Sequence, residues 1–174
     1  GVLYSSITKQ KNGSQKAELK NLHRNANEVK RKFGFVPQTP SFYPKLTVQE
    51  NVMHFGVLHN LPKKEITRTM NYLLALTKLD LHKNKLAEQL SGGMQRRLSI
   101  VCGLIHRPQI LILDEPTADL DPLLAEDVWN LIQDINKLGT TVVVASHFLH
   151  ELESVCGHVG IIHNVRMVKC GTID

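Results

Sequence analysis

The chain has 174 residues, a net charge of +5, 42% apolar and 21% charged residues, and 5% aromatics. That length is one domain with a core of ordinary size, and the composition excludes a disordered chain and a coiled coil. No run of about 18 apolar residues is available to span a bilayer as a helix and no charged-then-apolar signal opens the chain, so any membrane association is expected to go through a partner.

Val2 to Ser5 is short and β-prone, with no Met and no capping or turn residue ahead of it, and it reads as a strand already under way in a longer chain. Positive charge gathers next, in Lys9, Lys11, Lys16, Lys20, Arg24, Lys30, Arg31 and Lys32, around an Asn12-Gly13-Ser14 turn. A solvated loop or helix face is the expected role, ahead of a nucleic-acid or lipid patch. Lys32 to Val36 predicts a strand that stops at Pro37, which has no N–H to give a sheet, and Gln38 follows at its end. From Thr47 the period turns helical, with Val48, Val52, Phe55 and Leu58 on one face; Pro62 breaks the run, and Ile66 to Leu76 resumes it through Met70, Leu73 and Leu74.

Leu90 to Ile100, LSGGMQRRLSI, sets a serine and two glycines before a basic helical pattern carrying Leu98, Val101, Cys102 and Ile105. A helix start of this kind offers unpaired N–H groups and a partial positive charge, and glycines let an anion approach the backbone; a phosphate is the natural ligand. Yet no Gly-x-x-x-x-Gly-Lys-Ser/Thr loop occurs in the sequence, so the phosphate must be held from elsewhere. Ile110 to Pro116 and Thr140 to His147 are apolar runs closed by polar residues, as buried parallel strands are, and α/β folds place ligands at the carboxyl ends of such strands. Val128 to Leu138 is a helix with Trp129 and a Leu131, Ile132, Ile135 face, ended by Gly139. Phe148 to Val155 predicts a last helix, and Val159 to Ile162 with Arg166 to Cys170 a final hairpin. The alternation makes the class α/β with a mainly parallel sheet.

Asp114 and Glu115 emerge where a buried strand meets a loop. Such a pair can hold Mg²⁺ and orient or deprotonate a water, or it can simply cap a helix. Asp121 before Pro122 fits a helix start on its own account. His147, at the end of the second apolar strand, could donate to a phosphate oxygen or serve as a structural donor. Gln38 could bond within its loop or sense a metal. The other histidines (23, 54, 59, 82, 106, 150, 158, 163) read as surface or loop residues. Three cysteines, Cys102, Cys156 and Cys170, are odd in number and lack metal-ligand spacing, which suits a reducing compartment.

Taken together, GFVPQ, LSGGMQRR, ILILDEP, TADLD and ASH, in this order and spacing, resemble the Q-loop, signature, Walker B strand, D-loop and switch histidine of the nucleotide-binding domain of ATP-binding cassette (ABC) proteins. The resemblance runs from Phe33 to Asp174 and is nearest to exporter cassettes of the ABC-2 and A-subfamily kind. It implies a P-loop NTPase-like (RecA-like) α/β core with a helical subdomain over about residues 45–107, the N-terminal strands and phosphate loop lying outside the chain. It also implies ATP and Mg²⁺ as cofactors and head-to-tail pairing with a second nucleotide-binding domain, so that Ser91, Gly92 and Gly93 cover ATP held by the partner.

By position, Asp114 would assist Mg²⁺, Glu115 would be the general base, His147 would contact the γ-phosphate, Gln38 would link metal to the helical subdomain, and Asp121 would reach across the dimer. The helical residues near Phe42 to Val57 would face a transmembrane domain or permease subunit, placing the chain at the cytoplasmic face of a membrane. The expected function is ATP hydrolysis driving export, with the chain alone inactive for want of its phosphate loop. The other readings are a cassette that only completes a partner's ATP site and, more weakly, a soluble ABC ATPase acting on nucleic acid or ribosomes, suggested only by the basic segment Lys9 to Lys32; under the leading reading a nucleic-acid partner is not expected.

Overall fold

The computed structural model describes residues 2–7 as backbone and residues 30–173 in full. The basic segment from Lys9 to Arg24, its turn and His23 lie outside the described residues. Six strands form one sheet: β1 (Val2–Ile7), β2 (Phe33–Val36), β3 (Ile110–Asp114), β4 (Thr141–Ser146), β5 (His158–His163) and β6 (Arg166–Thr172), in the order β2-β3-β4-β1-β5-β6. β2, β3 and β4 pair in parallel, with Val36 opposite Leu113 and Asp114 opposite Ala145. β1 is antiparallel to both β4 and β5, and β5 to β6, so β2 to β5 all run one way. An amino-terminal strand is therefore part of the sheet, and it continues past Ser5 to Ile7.

The apolar runs are buried on one face only. Leu111, Leu113, Val142 and Val144 have no exposed surface, while their neighbours Ile112 and Val143 are half-buried and Phe35, in the same cross-strand row, is 58% exposed. Side chains alternate across a strand, so helices packed on one face bury every second residue. Among the described residues, that covered face is the one under the long helices.

Those helices are α1 (Val48–Leu58), α2 (Lys63–Leu76), α3 (Gly92–Leu104) and α4 (Pro122–Lys137), with a short α5 (Leu149–Val155) after β4. Thr47 caps α1 in a reciprocal box: its hydroxyl accepts from Glu50 N–H, and Glu50 Oε2 accepts from Thr47 N–H at 2.7 Å. The buried row of α1 is Val48, Asn51, Val52 and Gly56, not the row through Leu58, which is 59% exposed. The cause is a close crossing: a Cβ on Gly56 would fall 2.7 Å from Ile66 Cγ1 on α2. Hydropathy does not mark a glycine as an interface residue, so the expected face was rotated toward Leu58. Pro62 caps α2 as its break predicts, and Ile66, Met70, Leu73 and Leu74 are buried.

α3 buries Leu98, Val101, Cys102 and Ile105 and packs on β2, where Gly34 and Gly103 let the two backbones meet. Burial pushes the Cys102 thiol far up, so it stays an inert core group. Cys156 is buried and Cys170 exposed. Asp121 caps α4 and Pro122 opens it, Val128, Trp129, Leu131, Ile132 and Ile135 face the core, and Gly139 ends it at φ +104°. The chain reverses between α3 and β3. The amino half of α3 therefore lies where the parallel strands end: Arg96 reaches the carbonyls of Pro37 and Gln38 just past β2, and a Cβ on Gly93 would lie 3.2 Å from Leu124 in the first turn of α4.

Candidate active site

Three parallel strands deliver their carboxyl ends to one edge. β2 ends two residues before Gln38, β3 ends in Asp114 with Glu115 next, and β4 ends one residue before His147. The imidazole Nδ1 lies 2.8 Å from Glu115 Oε1. A carboxylate only accepts, so Nδ1 carries the proton and Nε2 is left for another partner. The Glu115 side chain is 17% exposed against 58% for His147. The acid is thus largely buried, and its partner imidazole reaches solvent.

The second Glu115 oxygen, Oε2, is buried and has no hydrogen-bond partner among the described residues. A buried carboxylate oxygen left bare is costly, and such an atom marks the place of a water, an ion or a reacting group. Backbone strain is present here, as it also is at Asn60, Lys78, Arg107, Asn164 and Val165. Glu115 sits at φ 45° and Asp119 at φ 62°, a left-handed region that side chains other than glycine rarely adopt and that costs about 1–3 kcal/mol each. Glu115 is held there by its N–H donating to Ala145 O at 2.8 Å and its carbonyl accepting from Ala118 N–H at 3.2 Å.

The signature turn stands beside this edge. Ser91 caps α3, its hydroxyl accepting from Met94 N–H at 3.4 Å and its carbonyl from Gln95 N–H at 2.8 Å. Of the first-turn donors, those of Gly92 and Gly93 remain, directed out of the helix end as an anion site requires. The two glycines differ in surroundings. Gly92 is exposed, whereas Gly93 is buried under Leu124, so the missing side chain at 93 also serves packing within the chain. Asp121, exposed, caps α4 through Leu124 N–H at 3.1 Å, and Leu123 beside it is 78% exposed.

Gln38 is exposed and makes no hydrogen bond to the acid pair; its backbone carries the link instead. Arg96, on the second turn of α3, donates from Nη1 to Pro37 O at 3.0 Å and from Nη2 to Gln38 O at 2.9 Å. Burial pushes this guanidinium down, opposed by the charges of Asp119 and Asp114. Asn51 fixes the stretch that follows: its amide accepts from Tyr43 N–H at 2.7 Å and donates to the carbonyls of Tyr43, Leu46 and Thr47. Neither role is visible in the sequence, because both side chains bond to backbone whose path only the fold sets.

One histidine pair departs from the surface reading. His59 and His106 stack at 3.7 Å between centroids and 4° between planes, and His106 Nε2 lies 2.9 Å from Phe33 O. Burial pushes both imidazoles below their ordinary range, with the neighbouring ring adding to the effect at His59 and the Phe33 carbonyl opposing it at His106. The signal for this pair was position alone: each follows the last turn of a helix.

An acid pair and a histidine at parallel strand ends, beside a glycine-rich helix start, make an α/β edge of the kind at which phosphate ligands bind. Residues 2–118 match the family model described as ABC transporter, and the chain belongs to that family. It is 36% identical over 145 residues to the linearmycin resistance ATP-binding protein LnrL of Bacillus subtilis, covering 83% of this chain and 47% of that protein. It is 35% identical over 146 residues to the Nod factor export ATP-binding protein I of Sinorhizobium fredii, covering 84% and 43%. The solved structure of cbiO1 from Clostridium perfringens, part of the ABC transporter complex cbiONQ, superposes with a TM-score of 0.79 at 28% identity, over 86% of this chain and 61% of that one. The chain spans about half the length of the curated relatives it matches.

Proposed function

We propose that these residues form the catalytic edge of an ATP-hydrolysing cassette that drives export through a membrane partner. The observation that carries the reading is Glu115: a largely buried carboxylate at the end of β3, strained in backbone, with one oxygen tied to His147 and the other buried without a hydrogen-bond partner among the described residues. Glu115 would draw the proton from the attacking water, and His147 would keep that carboxylate aimed while its Nε2 meets a γ-phosphate oxygen. Asp114, with Gln38, would hold Mg²⁺, which neutralises phosphate charge when bound; a strand-end carboxylate and an amide oxygen are the hard donors that ion takes.

The phosphate loop would come from outside these residues, since none occurs in the sequence. The outward N–H groups of Gly92 and Gly93 support a role for Ser91 to Gly93 on ATP held by a second cassette, with Asp121 and the exposed Leu123 near the seam. Export is supported by the named activity of the Nod factor relative, and a permease partner by the cbiONQ assembly. No helix among the described residues is long and apolar enough to cross a membrane, so attachment would run through that partner or a fused domain.

The test is ATP turnover by the full-length protein and its Glu115→Gln variant. Removing a general base costs about 10²- to 10⁴-fold. Turnover within twofold of the parent would overturn the assignment. ATP hydrolysis absent from the parent, yet stimulated when it is mixed with an intact cassette, would instead identify a half-site that completes its partner.

A further inference from the structure

Glu151 lies on α5, one turn beyond His147, and one of its carboxylate oxygens gathers two hydrogen bonds from other parts of the fold. Oε2 accepts from the Thr117 hydroxyl at 2.8 Å and from the Trp129 indole N–H at 3.0 Å. Thr117 is 4% exposed and Trp129 is 7% exposed, so both donors would be left buried and unpaired without it. Nothing in the motif pattern singles out Glu151, and on a helix face it passes for a solvated acid.

Its placement gives it more than a packing role. The segment after β3 and the segment after β4 are joined by two parallel rungs, Glu115 to His147 at 2.8 Å and Thr117 to Glu151 at 2.8 Å. The first rung is the proposed catalytic pair; the second is part-buried and lies two residues along one segment and four along the other. Residues 115–119 hold two left-handed backbone conformations, at Glu115 and Asp119, and such a loop keeps its shape only when its surroundings over-determine it. Glu115 N–H to Ala145 O fixes one end and the Asp121 cap the other. Between them the Thr117 hydroxyl is the side-chain anchor, and Trp129 ties the same carboxylate to α4, which continues the loop.

We infer that Glu151 is a positioning residue for the Glu115–His147 pair, clamping the loop after β3 and the middle of α4 to the helix that follows His147; the inference rests on the proposed catalytic role of Glu115. Loss of the clamp lets the loop relax and moves the base against the imidazole without touching nucleotide contacts. The turnover number should therefore fall while the KM for ATP stays near its parent value. Misplacement on the ångström scale costs about ten- to a hundredfold.

The test compares Glu151→Leu, Glu151→Gln and Thr117→Val in the full-length protein, measuring kcat, KM for ATP and the ¹⁹F resonance of 5-fluorotryptophan at residue 129, assigned with Trp129→Phe. Glu151→Gln keeps an acceptor oxygen and should recover most of the kcat lost in Glu151→Leu, and it should keep the 129 resonance near its parent shift. Thr117→Val, which removes a single donor with little change of shape, should lower kcat with KM unchanged even if Glu151→Leu does not fold. Parent-like kcat in both Glu151→Leu and Thr117→Val, or in a soluble Thr117→Val when Glu151→Leu is insoluble, overturns the inference while Glu115→Gln remains impaired. If Glu115→Gln turns over like the parent, the catalytic reading fails and this inference with it.

Discussion

His147 Nδ1 and Glu115 Oε1 stand 2.8 Å apart, joining residues 32 apart in sequence at the ends of adjacent parallel strands. Because the carboxylate fills the Nδ1 side, only Nε2 is free to meet a ligand, and it can donate to a phosphate oxygen only when the ring is protonated. The two side chains meet in this one contact, so the pair works as one unit.

Glu115→Gln and His147→Ala should consequently be strongly non-additive. Glu115→Gln removes the base while His147→Ala removes the group that aims it, and groups acting as a unit lose little more when both are gone. Steady-state ATPase rates of the two singles and the double variant provide the cycle. The double should fall within about threefold of the worse single. Multiplying losses would show that the two side chains act independently and that the bond is incidental.

Arg96 makes a second prediction. Its fork spans two consecutive carbonyls, Pro37 and Gln38, and only a guanidinium has the geometry to serve both. Arg96→Met should destabilise the protein by about 1–3 kcal/mol, the lower end applying if water reaches the exposed Gln38 carbonyl. Arg96→Lys should recover less than half of that. Urea unfolding reads the first effect, and limited proteolysis between residues 38 and 45 reads the loosened loop. Unchanged cleavage in Arg96→Met would mean that the loop after β2 is held by Asn51 alone.

The contrast between Arg96 and Glu115 shows what a sequence can and cannot disclose. The position of Glu115 was legible because an acid pair after four apolar residues marks the end of a buried strand, and strand ends in α/β folds are where ligands bind. Helix positions were legible wherever period and caps agreed, as at Thr47, Ser91 and Asp121. Arg96, Asn51 and Glu151 were illegible for a common reason: each bonds to groups set by tertiary packing, and each sits on a helix where a polar residue is unremarkable. The buried row of α1 was misjudged because Gly56 makes the crossing with Ile66, and the absence of a side chain leaves no hydrophobic signal. The stacked pair of His59 and His106 was missed similarly, since loop position was taken for exposure.

That histidine pair sets a pH dependence. Both imidazoles sit below the ordinary value of 6.5 in the folded state, through burial first, so the unfolded chain takes up protons before the folded one as pH falls. Stability is full above about pH 6.5 and declines as pH drops through that value and on through the depressed folded-state values. Thermal midpoints measured between pH 7.5 and 5.5 should fall in the parent. His106→Gln, whose side-chain amide can place a donor where Nε2 meets the Phe33 carbonyl but cannot become charged, should flatten part of that slope. Parallel profiles for parent and variant would assign the acid sensitivity to other groups.

The last prediction concerns the contact that brings the Arg96 fork within reach of the Q-loop. A methyl group on Gly34 would overlap the Gly103 carbonyl oxygen and lie 2.9 Å from Leu111 Cδ1 and 3.0 Å from Pro108 Cγ. The first of these is backbone and cannot rotate away, so Gly34→Ala must push α3 off β2. Overpacking of this kind costs about 1–3 kcal/mol, whereas Gly157→Ala, with nothing within 4 Å, should change stability by less than about 0.5 kcal/mol. The displacement also acts on the site, because Arg96 on α3 reaches the residues that directly follow β2. Gly34→Ala and Arg96→Met should therefore expose the same cleavage sites after residue 38 in limited proteolysis, and combining them should add little new cleavage. If Gly34→Ala loses stability while its cleavage pattern stays that of the parent, α3 and β2 have separated without releasing the fork, and Arg96 alone carries the link between the signature helix and the Q-loop.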